Sequence, residues 1–459
     1  MKNYDIIILG GGPGGYVAAI KAAQLGASVA VVERERLGGI CLNWGCMPTK
    51  TMLKTAKLYN EILDSKDFGI VGIDNSALSV DWDLLLKRKD NVVNRLTSGI
   101  YMLFKKNKID LYEGSGKVID KNKVEINGET ITGNSLIIAW GGRDSYPNIP
   151  GLVEGLENGY VINSKGALTL KEIPKELIVL GNNNYAIEFA TLFNSIGTNV
   201  TVIMESDHIL PFIESEIAIT LERQLKKEKV KLVSNSKIKS ITEDGVLVEV
   251  KGKDTLYKGE RYLVSFGLRP NIEGLEHLGL KLNNKGFIET NEKMETNIKG
   301  VYAIGDINGK YPLAHVASSE GIVAVENIMG IESKLNYNLI PQCIYTFPEL
   351  SSVGLTETQA REKGFDITVS KFPLSANGKS MAEGETLGFV KIISDNKYGE
   401  IIGAHIISGN ATDMISKYVA LMQIEATIYD VAKTIHPHPT VSEVDLEAAF
   451  GAIDRPIHI

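Results

Sequence analysis

Residues 5–33 leave this chain few folds to choose from. Asp5-Ile6-Ile7-Ile8-Leu9 reads as a short apolar strand, Gly10-Gly11-Gly12-Pro13-Gly14-Gly15 as a turn, Tyr16 to Leu25 as a helix with an alanine-rich packing face, and Ser28 to Val32 as a second strand. Gly10, Gly12 and Gly15 satisfy the spacing G-x-G-x-x-G directly after a strand and opening a helix, and Glu33 ends the next strand. Such glycines let backbone approach a pyrophosphate at a helix N-terminus, where negative charge is favoured, and the acid is placed to accept hydrogen bonds from a ribose. Alone, the glycines read as a tight turn; with strand, helix and acid in register they read as a dinucleotide site.

The pattern then restarts. After long helical stretches near 48–64 and 82–106, a hairpin is read from Lys123-Val124-Glu125-Ile126 and Thr130-Ile131-Thr132 around Asn127-Gly128. The Pro/Gly-rich stretch Tyr146 to Gly151 looks like a crossing between domains. Beyond it, Glu176 to Leu180 is a strand, Asn184 to Ile196 a helix and Asn199 to Ile203 a strand, a second βαβ unit. From about residue 340 the glycine clusters cease and strands mix with helices. The expectation is an α/β chain of two Rossmann-like dinucleotide-binding domains followed by an α+β domain.

Composition narrows the function classes. Against 56 Asp and Glu stand 49 Lys and Arg, a net charge of −7, so nothing draws the chain electrostatically to nucleic acid or an anionic membrane. Lysine-rich pieces such as Lys105 to Lys108 and Lys226 to Lys229 read as solvated faces. Glycines and charges interrupt every hydrophobic run before it reaches membrane-spanning length, and no signal peptide is read at the start. Three cysteines are too few for a secreted disulfide framework, which makes a soluble cytoplasmic protein the expectation.

Two of those cysteines stand close together in Gly38-Gly39-Ile40-Cys41-Leu42-Asn43-Trp44-Gly45-Cys46-Met47-Pro48-Thr49-Lys50. Five positions apart in a regular helix, their Cα atoms would be roughly 8–9 Å apart and point in different directions, whereas a disulfide needs roughly 4.4–6.8 Å. The segment must bend if they pair; Gly45 supplies the freedom and Pro48 a helix start. A helix N-terminus would also favour the thiolate. The alternative is two buried, inert cysteines.

This segment resembles the redox-active signature of the flavin-dependent disulfide oxidoreductases, the class I pyridine nucleotide-disulfide oxidoreductase family, and the likeness extends over nearly the whole chain. Thr296 to Asp306 is similar to the family's second flavin motif, with Asp306 on the ribityl chain; Leu313-Ala314-His315 stands where the family covers the flavin. Tyr345 to Glu349 and Val353 to Glu357 resemble the start of its interface domain, and His436-Pro437-His438-Pro439-Thr440-Val441-Ser442-Glu443 its acid/base segment. The resemblance implies FAD held by Gly10, Gly12, Pro13, Gly15, Glu33, Lys50, Gly141, Asp306, Leu313, Ala314 and His315. It implies Cys41 as the thiol meeting substrate, Cys46 as the thiol next to the flavin in a redox disulfide, and Lys50 near flavin N5, paired with Glu188. His438 is the implied base, oriented by Glu443, acting on the cysteines of the other subunit of a homodimer. Without the cysteines, a His-Pro pair would read as a rigid turn. Domains follow as 1–147 for the first part of the FAD domain, 148–270 for an NAD-type domain, 271–338 for the returning central segment and 339–459 for the interface domain. Cys343 is left as a packing residue.

Within the family, the Pro-Ile-His ending, the Cys-Leu-Asn sequence and a tail without cysteine resemble the dihydrolipoamide dehydrogenase branch. That branch implies oxidation of free or protein-bound dihydrolipoyl groups of 2-oxo-acid dehydrogenase or glycine-cleavage complexes, with NAD as acceptor. The second fingerprint departs from the pattern: Gly181-Asn182-Asn183-Asn184-Tyr185-Ala186 keeps one key glycine, and Met204 stands where an acid would bind the NAD ribose, with Glu205 one place late. Asn at 183 can adopt the left-handed region, so the turn survives while the phosphate cavity narrows. Ile40, Trp44 and Trp140 also depart from the family near the flavin, in roles the sequence does not assign. Two alternatives therefore stand beside NAD-linked dithiol oxidation: a flavoenzyme passing electrons to a different partner, and a non-catalytic flavoprotein subunit.

Overall fold

The structure is a computed structural model and describes residues 2–459. Strand Lys2–Leu9 lies at the centre of a seven-stranded sheet, parallel to Val29–Glu33 on one side and to Glu129–Ile138 on the other. Its residues Ile6 to Leu9 are fully buried, as an apolar run covered on both faces must be. Val301–Ala303 returns from far along the chain to pair with Glu129–Ile138, bringing the Asp306 turn beside the first glycines. The first helix runs Pro13–Gln24, three residues earlier than the sequence suggests at its start, because proline is pre-set for the first helical position. Gly10 has φ +104° and a Cβ there would collide with the Ala139 carbonyl; a Cβ at Gly15 would collide with that of Gly10. The hairpin closes on Asn127 (φ +50°) and Gly128 (φ +81°), with Ile126 opposite Glu129.

The second unit is a five-stranded parallel sheet in the order Lys231–Val233, Asn199–Ile203, Glu176–Leu180, Arg261–Val264, Val161–Ile162. An antiparallel layer of three strands between residues 236 and 257 accompanies it. Helix Asn184–Ser195 follows the central strand, ending one residue before the sequence reading. From Gln342 onward a five-stranded antiparallel sheet carries the helices Ala411–Gln423 and Glu443–Ile453. The lysines at 105, 106, 108, 226, 227 and 229 are exposed. Among the described residues no helix is long and apolar enough to cross a membrane.

The cysteine segment is not one helix. Helix Gly39–Trp44 ends at Gly45 (φ −132°, ψ −111°) and helix Cys46–Leu63 begins at the next residue. Pro48 therefore lies inside the first turn instead of starting the helix, and the break at Gly45 folds Cys46 back toward Cys41.

Candidate active site

A cleft of about 500 Å³ opens where the ends of the first sheet meet the second unit. Gly10, Gly12, Pro13, Glu33, Gly141, Asp306 and Ala314 line it, together with Cys41 and Cys46. Helix Pro13–Gln24 points its N-terminus into this cleft, and its cap Gly12 offers no side chain, leaving the first amides free for an anion. Glu33 accepts from the Gly11 amide at 2.7 Å and the Glu35 amide at 2.8 Å, which holds its carboxylate at the end of its strand. The Asp306 carboxyl is pushed up to about 6 by burial and by neighbouring Glu320. An open anion cradle, a strand-end acid and a second carboxyl further along the cleft fit FAD's pyrophosphate, ribose and ribityl groups. Gly15 stands behind the wall, where it lets helix and turn touch. Leu313 caps helix Ala314–Ile328 without lining the cleft, and His315 turns away: its Nε2 lies 3.0 Å from the Pro341 carbonyl oxygen.

Sequence reasoning missed what holds the Asp306 turn. Glu320 is fully buried and accepts from the Gly305 amide (2.6 Å), Asn308 Nδ2 (2.8 Å) and the Tyr337 hydroxyl (2.5 Å). An acid directly before the apolar run Gly321 to Val325 was the available signal.

Cys41 and Cys46 are both half-buried free thiols. The Cys41 thiol, by hydrogen bonding, lowers the Cys46 pKa, with Lys50 adding its positive charge; Cys41 is pushed up by that same interaction and by burial. Cys46 is also the first residue of its helix, where the dipole favours an anion. Of the two sulfurs, Cys46 is therefore the one favoured as thiolate. Lys50, one turn later, does not line the cleft; its Nζ lies 2.7 Å from Oε2 of the fully buried Glu188. Cys343 is half-buried against the last unit's core, its thiol pushed up to about 12 by burial.

His438 and Glu443 form a separate pair, Nδ1 to Oε1 2.9 Å. Thr440 donates its amide to Oε2 at 2.9 Å. Burial would raise the Glu443 carboxyl, but that amide and His438 hold it below its ordinary value. The His438 side chain is 79% exposed and does not line the cleft of its own chain.

The departures Ile40, Trp44 and Trp140 all line the cleft, and Lys165 Nζ sits 4.4 Å from the Trp44 ring centroid. The second fingerprint is held by its own side chains. Asn183 is extended (φ −77°), not left-handed as the sequence suggested; the positive φ falls on Gly181 (+130°). Asn183 caps helix Asn184–Ser195 with its own side chain: Oδ1 accepts from the Ala186 amide (3.0 Å) and Ser265 Oγ (2.8 Å), while Nδ2 donates to the Ser265 carbonyl (3.1 Å). Asn182 Nδ2 donates to Ser206 Oγ at 2.6 Å. Met204 is 2% exposed and packs in the core. A pyrophosphate needs the amide that Asn183 already satisfies, and a ribose needs an acid where a buried thioether stands. Asn183 and Met204 thus depart from the pattern that binds a nicotinamide dinucleotide.

Family models agree with the geometry of the first cleft. Residues 4–321 match the model described as pyridine nucleotide-disulphide oxidoreductase, and residues 340–449 match its dimerisation domain. A dihydrolipoyl dehydrogenase of Bacillus subtilis is 41% identical over 99% of this chain and 97% of its own length. One from Mycoplasma genitalium is 38% identical over 98% and 99%. Among solved structures, LpdA from Mycobacterium tuberculosis superposes with a TM-score of 0.89 at 25% identity, over 98% of this chain and 99% of that one. The flavoprotein disulfide reductase RclA from Escherichia coli, as its Cu(II) complex, gives 0.87 at 26%, over 98% and 99%. With both units of the family matched in order and relatives alike from end to end, this chain belongs to the pyridine nucleotide-disulphide oxidoreductases, enzymes acting on sulfur groups.

Proposed function

We propose that the protein oxidises dihydrolipoyl groups, free or carried on a partner protein, through a Cys41–Cys46 disulfide and FAD. The observation that carries this is the thiol pair folded together across Gly45 on the cofactor cleft, with Cys46 favoured as thiolate. His438 Nε2, left free by the Nδ1 contact with Glu443, takes the proton of a substrate thiol. The substrate thiolate attacks Cys41 Sγ and expels Cys46 as thiolate. The second substrate thiol then displaces Cys41, closing the substrate disulfide and leaving the enzyme dithiol. FAD, held by the first cleft, supplies the two-electron chemistry that returns the pair to the disulfide.

Because His438 stands away from its own cleft, the reading is a homodimer in which His438 of the partner subunit serves Cys41. The lipoyl carrier is a 2-oxo-acid dehydrogenase or glycine-cleavage component, and the setting is the reducing cytoplasm, in keeping with three cysteines of which two form the working pair. NAD is the acceptor that the branch implies. The Asn183–Ser265 clasp favours a second reading, in which the electrons leave to an acceptor other than a nicotinamide nucleotide. A purely structural flavoprotein is disfavoured by the complete set of Cys41, Cys46, Lys50, His438 and Glu443. Anaerobic titration with dihydrolipoamide is the test: the flavin absorbance should bleach, and unchanged absorbance would sink the dithiol reading.

A further inference from the structure

Three units of the chain meet at one half-buried ion pair. Lys50 comes from helix Cys46–Leu63, Glu188 from helix Asn184–Ser195, and Tyr345 follows strand Gln342–Ile344. Lys50 Nζ lies 2.7 Å from Glu188 Oε2 and 4.5 Å from the centroid of the Tyr345 ring. The Tyr345 amide donates to the other carboxylate oxygen, Oε1, at 3.1 Å. We propose that Tyr345 is a positioning residue for Lys50: its ring face holds the ammonium one turn from Cys46, and its amide holds the ammonium's counter-ion.

A lysine stem has four rotatable bonds, and a single ion pair leaves its end free to pivot about one contact. The Lys50 side chain is 23% exposed, so a path to solvent is open. Glu188 is fully buried, and a buried carboxylate is tolerated only when both oxygens are satisfied. Tyr345 closes both gaps. An aromatic face gives the cation a second attractive contact beside the carboxylate, and the amide takes the oxygen that Lys50 leaves. The benefit falls on Cys46, whose thiolate Lys50 stabilises and Glu188 opposes. An ammonium that swings away leaves the sulfur facing the carboxylate alone.

This inference rests on the dithiol reading above, and the experiment separates the two. In the reduced holoenzyme, iodoacetamide alkylation of Cys46 is followed against pH, with the site assigned by mass spectrometry. Tyr345→Phe keeps ring and backbone and should leave the midpoint of the rate profile where it is. Tyr345→Leu should raise it by about half a unit to one unit, the loss of one partly desolvated cation–π contact. Lys50→Met should raise it further. A midpoint unmoved by Tyr345→Leu while Lys50→Met moves it overturns the role of Tyr345 alone. So does a shift in Tyr345→Phe, which remains informative if the leucine variant does not fold. A midpoint unmoved even by Lys50→Met removes Lys50 from the thiol chemistry, and Tyr345 with it.

Discussion

Replacing Asn183 by glycine tests whether the second crevice is closed by its own side chains. The Asn183 side chain makes three hydrogen bonds, to the Ala186 amide, to Ser265 Oγ and to the Ser265 carbonyl. Asn to Gly at a helix cap alone costs only a few tenths of a kcal/mol. Loss of the two bonds to Ser265, at about 1 kcal/mol each, brings the total destabilisation to about 2 kcal/mol. In return the Ala186 amide in the first turn of helix Asn184–Ser195 becomes free, as the amides behind Gly12 already are. One charge-assisted hydrogen bond to a pyrophosphate, at about 1.5–3 kcal/mol, corresponds to roughly a 10-fold to 100-fold gain in NADH affinity. NADH fluorescence on binding to the oxidised holoenzyme reads this directly. Wild-type protein should bind weakly, in the millimolar range, and Asn183→Gly distinctly more tightly. Micromolar binding by the wild type, or no gain in the variant, would refute the argument. Adding Met204→Glu should not help, because that position faces the core and the acid would be buried among apolar side chains.

Three other outcomes follow from the site. Glu443→Gln removes the carboxylate that orients the His438 ring; dihydrolipoamide oxidation should fall by about 10-fold to 100-fold, and unchanged kcat/KM would count against the pair. Gly45→Ala places a Cβ 2.9 Å from the Ile40 carbonyl oxygen and should slow anaerobic single-turnover dithiol oxidation at least about tenfold by spreading Cys41 and Cys46; full retention would show that the break tolerates a side chain. For Asp306, a carboxyl at about 6 in the folded chain lies above its unfolded value near 3.9, so the folded state binds the extra proton and stability falls as pH rises from about 4 through about 6. Asp306→Asn should therefore stabilise the flavin-free protein at pH 8 by about 1–2 kcal/mol, allowing for partial exposure, with little gain at pH 4; it should also weaken FAD retention. Thermal denaturation of the stripped protein at both pH values checks the sign, and an equal gain at both would remove the carboxyl as its cause.

Local signals account for what the sequence made readable. Gly10 and Gly15 occupy places where any side chain would strike backbone, so the first turn announces itself within six residues. The strands Glu176–Leu180 and Asn199–Ile203 were readable from the apolar residues that a parallel strand covered on both faces buries, Leu177 to Leu180 in one and Val200, Val202 and Ile203 in the other. What stayed hidden depends on partners far along the chain. Glu320 means nothing until Gly305, Asn308 and Tyr337 are seen to converge on it, and Tyr345 reads as part of an interface motif until Lys50 and Glu188 arrive from two other units. Asn183 is the instructive case, because its signal was local and was weighed for the wrong property. Asparagine is known both for tolerating the left-handed region and for capping helices, and at the residue before a helix the second property governs. Read as a cap, Asn183 already implies that its oxygen takes an amide a phosphate would need. The structure adds Ser265, 82 residues away, whose hydroxyl donates to that same oxygen and holds it in place. The two βαβ units therefore differ at one position: the first helix begins with glycine and leaves its amides to an anion, and the second begins with asparagine and has supplied its own acceptor.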